Sequence, residues 1–135
     1  MNAQQDIKKI FHDLMTQKQG QVFLCSKDMT LRVFDDGSKL SMSCPVYFGS
    51  NYLPASVRDA IKKNPPFGSQ FSLKTYFIVD EEHYRIFLNY IGSTEELTNM
   101  KFFRLMKEFE FMVEEWRIFL DEHDKQDLIY IWKNR

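Results

Sequence analysis

Apolar positions along this chain change period several times, and each change marks an element. Ile7, Ile10, Phe11 and Leu14 recur at the three- and four-residue steps of one helical face, which predicts a first helix from about Asn2 to Gln17 ending near Gly20. Three short strands are expected next. Gln21–Ser26 leads through Lys27–Asp28 to Thr30–Asp35, and Asp36–Gly37 marks a tight hairpin turn, since glycine tolerates the positive φ such turns need. Leu40, Met42 and Cys44 then alternate with Ser41 and Ser43, a half-buried strand. Pro54 opens a short helix, Pro54 to Lys63, with Val57, Ala60 and Ile61 on one side, and Asn64-Pro65-Pro66 stops it. Two further strands, about Ser69–Val79 and His83–Ile91, flank the acidic turn Asp80-Glu81-Glu82.

The last helix is expected from Glu95 to about His123, with Ser93 and Glu96 as a capping box. Phe102, Leu105, Phe109, Met112, Trp116 and Phe119 form its buried stripe, widened by Met106, Val113 and Leu120. Phe111 and Ile118 fall almost opposite, among Arg104, Lys107, Glu114 and Glu115, while Phe103 lies to one side. The strands carry a similar surplus. If Phe71, Leu73, Phe77, Val79 and Tyr84, Ile86, Leu88, Tyr90 face the core, then Tyr76, Ile78 and Phe87 face away, as do Phe23 and Phe34 earlier. A sheet with one wet face should alternate more cleanly, so a second layer or a partner is expected there. Residues 121–135 read as an apolar tail through Leu128, Ile129, Tyr130, Ile131 and Trp132, either folding back on its own domain or crossing to another subunit.

The resulting order, α-βββ-α-ββ-α, makes residues 1–135 a single α+β domain with an antiparallel sheet backed by its end helices. Composition narrows the function. A net charge of -1 lacks the basic field that nucleic-acid binding requires. No stretch approaches the roughly 18 apolar residues that span a bilayer, and the N-terminus lacks a signal-peptide core, so stable membrane insertion is not expected and the chain reads as soluble and intracellular. Aromatic residues make up 16% of the chain, and seven Met add adaptable apolar surface, a composition that suits either a core or an interface.

Chemistry is sparse. His12, His83 and His123 stand in separate elements, and Cys25 and Cys44 lack metal-ligand spacing, so no metal or other cofactor is expected. Both thiols read as buried and reduced, within strands. His123 beside Asp124 reads as a solvated helix end rather than a dyad. Of the carboxylate pairs, Asp35–Asp36 and Glu81–Glu82 sit on turns and Glu114–Glu115 on a polar helix side, not in a cleft where a general acid or base would be tuned. No catalytic residue is nominated.

The element order, with Asp59-Ala60-Ile61-Lys62-Lys63-Asn64, Phe71-Ser72-Leu73, a strand ending in Asp80, Tyr84–Ile91, and Phe109, Val113, Trp116 and Arg117 on the last helix, resembles the class I type III secretion chaperones (the Tir chaperone family) over about Ile7 to Leu120. It is also similar to the YbjN-like proteins, which implies an interaction or regulatory module as the alternative. The chaperone resemblance implies a bacterial cytoplasmic homodimer without enzymatic activity, which binds an N-terminal segment of a secreted effector in extended form and keeps it competent for export. It places the dimer interface on Val57, Ile61, Phe71 and Leu73, with Tyr76 and Ile78 beside them. Phe23, Phe34 and Phe87 are the effector-binding candidates from strand parity, and Phe111 and Ile118 from helix geometry alone. A third possibility is a small-molecule site on the curved sheet, lined by Tyr76, Tyr84 and Tyr90.

Overall fold

Alternation of apolar and polar residues drives five strands into one antiparallel sheet. The computed structural model describes the backbone of residues 3–17, 19–63 and 73–133, and the side chains of 6–17, 19–25, 27–63 and 73–125. The elements are helix α1 (Ala3–Met15), strand β1 (Gly20–Leu24), a 3-10 turn (Cys25–Lys27), β2 (Met29–Phe34), β3 (Lys39–Phe48), helix α2 (Ala55–Ala60), β4 (Thr75–Asp80), β5 (Arg85–Ser93) and helix α3 (Asn99–Lys133). Strand order is β1-β2-β3-β5-β4, every neighbouring pair being antiparallel. The fold is therefore α+β in the expected order. Phe71 and most of the loop before β4 lie outside the described residues.

The helices share one side of the sheet, with α3 packed on β3 and flanked by α1 and α2. Between the layers lies the core: Leu31 and Val33 of β2, Leu40 and Met42 of β3, Ile86 and Leu88 of β5, and Phe102, Met106, Phe109 and Leu120 of α3. Leu73, Phe77, Val79, Tyr84 and Tyr90 pack partly against it, so the strand parity read from the sequence is the observed one where the residues are described. Phe77 meets Trp116 edge to face at 4.7 Å, and Trp116 meets Phe119 in the same way at 5.6 Å, an arrangement the ring quadrupoles favour.

Three local details differ from expectation. The hairpin after β2 turns on Asp35 and Asp36, both left-handed (φ 56° and 58°), with Gly37 N–H donating to the Phe34 carbonyl. Aspartate tolerates that region, and two such residues make the primed turn that suits strand twist. Helix α3 starts at Asn99, not Glu95: the Thr98 hydroxyl caps it by accepting from Lys101 N–H at 3.2 Å, while Ser93 ends β5, its hydroxyl accepting from Glu95 N–H, and Glu96 lies in the turn that follows, with φ 60°. The same helix runs unbroken to Lys133, so the backbone of residues 121–133 continues α3 rather than forming a separate tail.

A register shift between Pro45 and Tyr47 bulges β3. Proline cannot donate to the ladder, which makes such a site natural for it. The bulge exposes the Pro45 carbonyl to α3, where Arg117 Nε donates to it at 3.0 Å. It also turns Tyr47 toward the helices, its hydroxyl donating to Asp124 at 3.2 Å, and swings Phe48 outward.

Candidate functional site

The sheet face turned away from the helices carries the apolar surplus. Register aligns its residues in rows across the strands. Ile78 of β4 stands opposite Phe87 of β5, which stands opposite Pro45 of β3. In the next row Tyr76, Asn89, Ser43, Thr30 and Phe23 follow one another from β4 to β1. Ile91, Ser41 and Arg32 form the third row. Phe23 is 53% exposed, Ile78 50% and Tyr76 42%, values far above those of core residues, and Ile91 and Phe48 are exposed as well.

Phe34 and Phe87 are half-buried on this face, and each lies under an arginine: Arg32 sits 4.9 Å from the Phe34 ring centre and Arg85 sits 5.1 Å from that of Phe87. Such contacts contribute about 0.5–1 kcal/mol at exposed sites, so the cations cover these rings only loosely. Arg85 is steered over Phe87 by Asp80, whose carboxylate it meets at 3.0 Å. That hydrogen bond, joined by one from His83, holds the Asp80 carboxyl below the usual carboxylate range. Asn89 is the buried polar residue in the middle of the face, its amide donating to the Phe87 carbonyl at 3.2 Å.

β4 pairs with β5 alone and β1 with β2 alone among the described residues, so both are edge strands with a free row of backbone donors and acceptors. The apolar rows lie nearest the β4 edge. Backbone hydrogen-bonding capacity and apolar side chains side by side are what an added extended strand requires.

Of the other nominated residues, Phe111 (57% exposed) and Ile118 (49%) also face outward, but on α3 and therefore on the opposite side of the molecule from the sheet rows. Of the two residues nominated for a subunit interface, Ile78 stands in the row of Phe87 and Tyr76 in the next row, opposite Asn89. Val57 requires a correction: it is fully buried in the chain's own core, where α2 packs against α3, and offers no surface to a partner. Ile61 and Leu73 are likewise engaged, each packed partly against that core. On the outer sheet face, Ile91 and Phe48 are exposed apolar groups that escape the sequence reading. Ile91 shares the outward parity of Phe87, so the alternation does contain it; Phe48 is outward only because the bulge shifts the register, and no periodicity signals that.

Among the described residues the groups singled out for chemistry stand apart. Tyr76 points away from the helices, Tyr90 toward them, and Tyr84 lies in the β4–β5 turn, so the three tyrosines line no common cavity. Among the described residues no group of three or more His, Cys, Asp or Glu is placed to hold a metal ion. His123 Nδ1–H donates to the Phe119 carbonyl at 2.9 Å and its ring meets that of Phe119 at 4.4 Å, tilted by 58°, while Asp124 serves Tyr47, so the neighbours are not a dyad. Burial and the Asp124 carboxylate together push the Tyr47 phenol well above its ordinary range.

The thiols differ from expectation in part. Cys25 opens the 3-10 turn and is exposed, whereas Cys44 is buried. Cys44 borders a small hollow of about 190 Å³ with Lys27, Glu110 and Arg117. Its thiol donates to the Lys27 carbonyl at 3.3 Å, and burial pushes its pKa up to about 11 despite the guanidinium nearby. A thiol held protonated in this way is no nucleophile at neutral pH. Lys27 and Glu110 form an ion pair across the rim. No protein-family model matches the chain, and no curated protein sequence matches it. No helix of the described residues is long and apolar enough to cross a membrane.

Proposed function

We propose that this chain is a chaperone without catalytic chemistry, which works as a homodimer in the bacterial cytoplasm and holds the N-terminal segment of a secreted effector in extended form until export. The observation that carries the reading is the apolar rows of the outer sheet face (exposed Ile78 opposite half-buried Phe87, exposed Tyr76 beside them) lying next to β4, which among the described residues has no strand on its outer edge. A client segment would add as a strand along that edge and lay alternate apolar side chains over the rows, with Phe23 and Phe34 reached where the segment crosses toward β1.

The energetics suit transient holding. Fixing each client residue in an extended form costs about 1–2 kcal/mol, and each apolar side chain buried returns roughly 1.5–3 kcal/mol. Several contacts must therefore act together, and losing one or two releases the segment. Arg32 and Arg85 shield the two phenylalanines in the unloaded protein at little cost, so displacing them removes only a weak contact.

The test is co-expression with the first hundred or so residues of a secreted protein encoded beside this gene, followed by co-purification. Wild type should retain the segment. Phe87→Asp and Ile78→Asp should lose it with unchanged circular dichroism. Retention by both variants would remove the sheet face from the reading.

A further inference from the structure

Helix α3 has an outward face of its own. Met100, Arg104, Lys107, Phe111, Glu114, Ile118, Asp121 and Lys125 follow one another at alternating steps of four and three, and all are exposed. Steps of this kind keep residues on one line of a helix that meets another helix lengthwise. Three of the positions are large and apolar: Met100 at 62% exposure, Phe111 at 57% and Ile118 at 49%.

Charge along this face is segregated. Arg104 and Lys107 occupy the N-terminal half of the line, Lys107 also reaching Glu110 at 3.9 Å, and Glu114, Glu115, Asp121 and Glu122 follow, with Lys125 beyond them paired to Asp121 at 3.1 Å. The first turn holds no acidic residue, and Lys101 stands within it, the reverse of what the helix dipole favours. Lys101 is held within the chain by donating to the Glu96 carbonyl at 3.2 Å, so Arg104 and Lys107 are the cations this line presents near the start of the helix.

We propose that α3 pairs with α3 of a second copy of this chain, antiparallel, about a two-fold axis level with Glu110. There Phe111 meets Phe111 of the second copy, Met100 meets its Ile118, Arg104 its Glu115 and Lys107 its Glu114. All four pairs fall within about two residues of a common level, roughly 3 Å along the axis. At 100° per residue Arg104 and Glu115 lie on one flank of the seam and Lys107 and Glu114 on the other. A two-fold axis keeps each flank with itself, so opposite charges come together. A parallel pair would instead set each charge against its own kind. This inference stands apart from what the sheet binds, and it moves Phe111 and Ile118 from the client to the subunit contact.

Sedimentation velocity on the full chain tests it. Wild type should pass from one subunit to two between about 10 and 500 µM, as befits a small seam with charges in it. R104E and E115R should each weaken association at least about tenfold, because each sets like charges together. An equimolar mixture of the two variants should dimerise again. In the mixed pair the two substituted side chains carry opposite charges and face each other, and the unaltered Arg104 of one copy faces the unaltered Glu115 of the other. Circular dichroism on each variant checks that the helix is intact. A monomeric wild type, single variants that associate as tightly as wild type, or a mixture that stays monomeric would each overturn the seam. Client capture by R104E reports on the sheet face separately and should persist.

Discussion

Arg117 shows how much one side chain can decide. The Pro45 bulge leaves a carbonyl without a ladder partner, and the guanidinium supplies the missing donor from the neighbouring layer. Arg117→Leu should therefore cost about 1–3 kcal/mol, the range for stranding a buried acceptor, seen as a lower urea midpoint at unchanged slope. Cysteine reactivity offers a second check. A thiol reagent at neutral pH should modify Cys25 alone in the native protein and both thiols once it is unfolded. Because folding raises the Cys44 pKa, the native state keeps a proton the unfolded chain gives up at lower pH. Its contribution is complete below the usual thiol range and lost as pH climbs toward about 11. Asp80 has the opposite sign. Its lowered pKa means the contact with Arg85 is present at neutral pH and is lost as pH falls through the acid range; an NMR titration should place its midpoint below that of an ordinary aspartate, and Arg85→Gln should raise it.

Among the elements, periodicity located all the described helices and strands and most of their buried faces, because burying one face is what makes each element stable. Ile7 and Leu14 of α1, Leu40 and Met42 of β3, and Ile86 and Leu88 of β5 are all inside, as their spacing implies. Boundaries were less legible where short polar residues competed for one role. Ser93 with Glu96 imitates a capping box, yet Thr98 holds the cap, since Thr94 is drawn to the first hairpin by its hydroxyl bond to the Gly37 carbonyl at 2.6 Å. Thr98→Ala should cost roughly 1 kcal/mol in thermal or chemical unfolding, with Ser93→Ala nearly silent. The β3 bulge is the clearest loss: one inserted residue reverses parity, and alternation alone gives no sign of Tyr47 turning in and Phe48 turning out.

For the molecule as a whole, the two outward apolar surfaces lie on opposite layers and need not compete. The rows of the sheet were legible as a surplus of aromatic residues at outward positions, and Phe23, Tyr76 and Ile78 are indeed exposed. Val57 was not legible as core-locked, because a three-residue stripe on a short helix looks the same whether it faces its own domain or another. The measurement that tests the account most directly is quantitative capture of an effector's N-terminal segment by wild type and by Phe87→Asp at equal concentration. Wild type should retain the segment and Phe87→Asp should fall to background while remaining folded. Equal capture by the two proteins would contradict a client site on the outer sheet face.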